Sequence, residues 1–64
     1  MSAIPLNKVK PGQFVRLSDK PNAKTYKRGG YDREWKAFSL CDAKDMNHEI
    51  FRKAKTTVFV GFTY

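Results

Sequence analysis

The sequence predicts a small all-β domain, either a five-stranded barrel or a strongly bent antiparallel sheet. Three observations carry that expectation. Apolar residues recur with a period of two in several short runs, turn residues separate the runs, and nine aromatics stand among 64 residues. Such a chain makes one domain, 1–64, and buries only about 60% of the surface its unfolded form exposes. Cys41 is the only cysteine, so no internal disulfide can staple the fold. Rings and β-branched side chains must supply the core.

Residues 1–12 read as a lead-in segment, because Pro5 and Pro11 lack amide donors and Pro11-Gly12 is a turn dipeptide. From Gln13 to Ser18 the chain alternates Phe14/Arg16 against Val15/Leu17, the pattern of a half-buried strand. Asp19 to Asn22 is a turn. Lys24 to Arg28 forms the next strand, with Tyr26 and Arg28 on one face. Gly29-Gly30 is either a two-residue hairpin turn or a bulge in one long strand with the hairpin at Asp32 to Glu34. The nearby strand formers Tyr31, Trp35 and Phe38 favour the bulge.

Glu34 to Cys41 reads as the following strand and Thr56 to Tyr64 as the last. In the latter, Val58, Val60, Phe62 and Tyr64 share a core-facing side. Trp35, Phe38 and Phe62 are expected in the core. Asp42 to Lys55 supports two readings. One is a short helix at 43–54, with Asp42 as its cap and Ala43, Met46, Ile50 and Ala54 in a stripe. The other is a loop to Asn47 followed by a strand over His48 to Lys53. Elements this short close or bend because that removes exposed edges.

The run Val9-Lys10-Pro11-Gly12-Gln13-Phe14-Val15 resembles the opening strand of small SH3-like barrels. Tyr-x-Arg-Gly-x-Tyr-Asp-Arg from Tyr26, and Val-x-Val-Gly-Phe-Thr-Tyr from Val58, are similar to short proteins encoded by tailed bacteriophages. The resemblance covers roughly residues 6–64. It implies an SH3-like fold and a host-cytoplasm setting, and it carries no particular activity.

The composition disfavours catalysis. His48 is the only histidine, and neither a nucleophile–base pair nor a metal-ligand spacing surrounds it. Cys41 reads as a small core residue. Asp42, Asp45, Asn47 and Glu49 read as a helix cap or polar turn. The expectation is therefore no enzyme, no cofactor and no metal. The longest apolar run is three residues, Val58 to Val60, too short for a membrane span. With one cysteine and no signal-peptide pattern, the expected compartment is cytoplasmic.

Charge carries the functional expectation. Net charge is +7, with 13 Lys and Arg against six acids. Residues 1–28 hold seven basic groups and one acid, residues 29–49 three and five, and residues 50–64 three and none. First and last strands that lie side by side would merge the positive ends into one face, which attracts polyanions by counterion release. Rings alternate with cations from Tyr26 to Arg33, the arrangement that holds single strands by stacking and backbone contact. Lys24, Lys27, Arg28, Arg33 and Lys36 are the expected phosphate contacts, and Tyr26 and Tyr31 the stacking rings. The partner is DNA or RNA. The alternative partner is an acidic host protein (a polymerase, a nuclease or a defence component) docked on Phe59 or on a sheet edge.

Overall fold

The computed structural model describes residues 1–45 and 47–62. Six strands form one antiparallel sheet: β1 (Ser2–Pro5), β2 (Phe14–Arg16), β3 (Thr25–Asp32), β4 (Ala37–Asp42), β5 (Glu49–Lys53) and β6 (Thr57–Val60). A single 3₁₀ turn, Leu6–Lys8, follows β1. The order across the sheet is β1-β6-β2-β3-β4-β5. Strands β2 to β5 thus form a meander, and β6 returns to pair with β2 on one side and β1 on the other.

That connectivity forces the sheet to curl. β5 and β6 are four steps apart in the sheet, about 19 Å if it were flat. Only residues 54–56 join them, and the four links from Lys53 to Thr57 reach at most about 14 Å. The Thr56 amide also donates to the Lys53 carbonyl at 3.0 Å, so the real connection is a tight turn. The curl does not close into a barrel, and no ladder joins β5 to β6 among the described residues. Instead the 3₁₀ turn lies against the β5–β6 turn: Leu6 N–H donates to the Thr56 carbonyl and Asn7 N–H to that of Ala54, each at 2.9 Å.

The concave face holds the core. Leu6, Val15, Leu40 and Val58 are fully buried, and Val9, Tyr26 and Phe38 complete the cluster. Each such aliphatic side chain contributes about 1.5–3 kcal/mol on burial. Partly buried Ile4, Leu17, Ile50, Ala54 and Val60 pack around it.

The structure decides the open readings and corrects others. Gly29-Gly30 is a bulge: Arg28 pairs with Leu40 and Tyr31 with Phe38, so β3 has one residue more than β4 over that interval. A Cβ on Gly29 would lie 3.1 Å from Ser39 Oγ, whereas one on Gly30 would meet nothing within 4 Å. β5 occupies 49–53, so the helix at 43–54 is excluded. There are six strands rather than five, because the lead-in contains β1. β1 is uncharged and too short to alternate, and it is extended because β6 offers it a partner. Trp35 is not core: it is 67% exposed in the β3–β4 turn. The expected inward place of Tyr64 lies outside the described residues.

Candidate functional site

Side chains on paired strands share a face, so the register sorts the chemistry-bearing residues. Tyr26 and Arg28 do lie on one face, as their spacing predicts, but it is the inner one. Tyr26 is only 7% exposed, and this corrects its assignment as a stacking ring. Arg28 lays its guanidinium carbon 4.1 Å from the centroid of Phe38. Its Nε is buried with no hydrogen-bond partner among the described residues. Arg28 therefore supports the inner wall more than it offers a free surface cation.

The bulge restores Tyr31 to the inner row, beside Phe38 and Arg52. Tyr31 meets Phe38 edge-on with centroids 5.0 Å apart, yet it is 49% exposed because the row lies at the lip of the curl. The β3–β4 turn then crosses to the outer face. Asp32 Oδ1 accepts the Glu34 and Trp35 amides at 2.8 and 3.2 Å, the local bond by which Asp shapes turns. Trp35 stacks on Phe51, centroids 6.3 Å apart and planes at 16°. Two accessible rings thus flank the hairpin, one on each side of the sheet.

The same end gathers cations from both termini. Arg33 and Lys36 are exposed in the hairpin, and Arg52 and Lys53 pair opposite Phe38 and Ala37. The hydrogen bond from Asn7 to Ala54 sets Lys8 beside the turn that carries Lys53 and Lys55. Against these six cations stand Asp32, engaged in its turn, and Glu34. This end thus joins Lys8 from the first segment, Arg33 and Lys36 from the middle and Arg52, Lys53 and Lys55 from the last, beside the exposed rings Tyr31 and Trp35; Tyr26 is not among them.

The remaining expected residues lie elsewhere. β3 spans about 23 Å at strand rise, and Lys24 precedes its far end, with Nζ 4.0 Å from Asp42 Oδ2. Lys27 is exposed on the outer face, opposite Phe14 and Cys41. Phe59 is partly buried on that face, opposite Arg16. The structure thus brings together Tyr31, Arg33 and Lys36 and separates them from Lys24, Lys27 and Phe59.

The carboxylates do little to neutralise this surface. Lys24–Asp42 is the only ion pair among the described residues. Asp45 accepts the Asn47 amide and Glu49 the Ser39 hydroxyl. The excess positive charge therefore stays on the surface. Sequence reasoning missed Trp35, Arg52, Lys53, Lys55 and Lys8 as members of the site; the acid-free stretch 50–64 was the signal for Arg52, Lys53 and Lys55. No helix of the described residues is long and apolar enough to cross a membrane. No protein-family model, curated protein or solved structure matches this chain.

Proposed function

We propose that this protein is a non-catalytic binding module that holds single-stranded nucleic acid at its hairpin end. One observation carries the reading: Tyr31 and Trp35 present ring surface amid Lys8, Arg33, Lys36, Arg52, Lys53 and Lys55, with only two acids nearby. Cations track a phosphate backbone while unpaired bases stack on rings. Duplex DNA keeps its bases stacked internally and would leave both rings unused. The test is affinity for a short single-stranded oligonucleotide across a salt series. The logarithm of the association constant should fall linearly with the logarithm of salt, and Arg33→Ala with Lys55→Ala should shallow the slope by about 1.4. Binding that ignores salt would overturn the reading.

A second reading, docking on an acidic protein, is supported by the edge positions of β1 and β5, whose outer sides pair with no strand among the described residues and can accept an added one. A stoichiometric protein complex that survives nuclease treatment would put it first. We further propose SH3-like kinship, with the meander from β2 to β5 and the return of β6 to β2 as the observation in its favour; a phage-type origin is proposed on the sequence resemblance alone.

A further inference from the structure

The end of the molecule away from the hairpin contains a hollow of about 320 Å³ at the junction of β2, β3 and β4. This is at the lower end of the range for small-ligand pockets, about 300–1,000 Å³. Arg16, Lys24 and Lys44 line it together with Thr25 and Asp42. A second hollow of about 220 Å³, lined by Phe14 and Lys27, shares Asp42 with the first.

We propose that the first hollow binds a terminal phosphate, the phosphomonoester of a nucleotide, with the attached nucleoside lying against Phe14 in the second. Arg16 is held ready for this. Its Nε donates to Thr25 Oγ1 at 3.1 Å, and its guanidinium carbon sits 4.3 Å from the centroid of Phe62. Among the described residues no acceptor meets its two terminal nitrogens, which leaves the donors that engage phosphate oxygens. Thr25 is itself buried, so the guanidinium is anchored from inside the protein.

Charge selects the ligand. Three cations and the Asp42 carboxylate leave two positive charges around the hollow. Asp42 is already engaged with Lys24 Nζ and with the Lys44 amide at 2.9 Å. A phosphomonoester carries about −1.5 to −2 at neutral pH, whereas an internal diester carries one charge. The hollow therefore matches a strand end or a free nucleoside monophosphate better than the middle of a strand. This rests on the nucleic-acid reading and adds strand-end recognition to it.

The test compares two single-stranded oligonucleotides of one sequence, terminally phosphorylated or hydroxyl-ended, with a nucleoside monophosphate as a third probe. The phosphorylated strand should bind about tenfold tighter. Lys44→Ala, an exposed loop change, should erase most of the preference and leave the hydroxyl-ended affinity nearly unchanged. Arg16→Lys should also lose the preference, because it keeps the charge without the two-pronged donor. The monophosphate alone binding as tightly as the phosphorylated strand would assign the site to free nucleotide; much weaker binding would assign it to strand ends. Equal affinity for the two strands overturns the phosphate site and leaves the hairpin interface standing. If none of the three probes binds, both proposals fail.

Discussion

At the hairpin end the cations stand on turns and on an edge strand, with rings beside them and solvent around them. At the opposite end Arg16 is tied to Thr25, covered by Phe62, and lines a hollow together with Asp42. Exposed cations give affinity through counterion release and discriminate little between ligands. An anchored guanidinium in a hollow favours one anion shape. On the two proposals, general attraction and selective recognition lie at opposite ends of β3, about 23 Å apart by strand rise.

The strongest way to break that contrast is to remove the rings. Tyr31→Ala and Trp35→Ala should each lower single-strand affinity by about 1–3 kcal/mol. Each should also lose about 0.5–1.5 kcal/mol of stability, Tyr31→Ala through its edge contact with Phe38 and Trp35→Ala through its stacking on Phe51. The preference for a terminal phosphate should survive in both variants. Fluorescence titration with the two strand ends, beside urea denaturation, separates these effects. Loss of the preference together with the affinity would mean that the two ends act as one site.

The bulge joins the ends and gives the next test. Gly29→Ala would bring a Cβ within 3.1–3.3 Å of Ser39 side-chain and backbone atoms. Overpacking of this kind costs about 1–3 kcal/mol, and it should misplace Tyr31. Gly30→Ala meets open space, and neither glycine has the positive φ that would strain a side chain. It should stay within about 1 kcal/mol of the parent, or gain slightly by restricting the unfolded chain. Urea midpoints of the pair decide whether close approach at Gly29 holds the bend.

These residues also show what was legible in the sequence. A period of two located β2 and β6, and a glycine pair among strand-forming rings located the bulge. The phase of alternation put Tyr26 and Arg28 together, but the alternate residues Thr25 and Lys27 do not say which face turns inward. The curl imposed by the β5–β6 turn decides that, and it buries Tyr26. Ring size argued for burying Trp35, whereas its place in the Asp32-shaped turn carries it outside. Lys44 was hidden because it sits among acids in a segment that sums to −2. Arg16 could be paired in sequence only with Phe14 on one strand face; its contacts with Thr25 and Phe62 come from the fold.

Lys36 gives the finest test, because it combines a charge with a strained backbone. It is the one described non-glycine residue with positive φ, 52°, where an ordinary side chain costs roughly 1–2 kcal/mol. Lys36→Ala removes the cation and keeps the strain; Lys36→Gly removes both. The two variants should therefore share one salt slope, shallower than the parent's by about 0.7. They should differ in stability, with glycine the more stable by about 1 kcal/mol or less after its own entropic cost. Matching slopes with separated urea midpoints would show that Lys36 acts on the ligand purely as a charge. Diverging slopes would show instead that the turn's shape helps present Trp35, making the hairpin end more ordered than its exposure suggests.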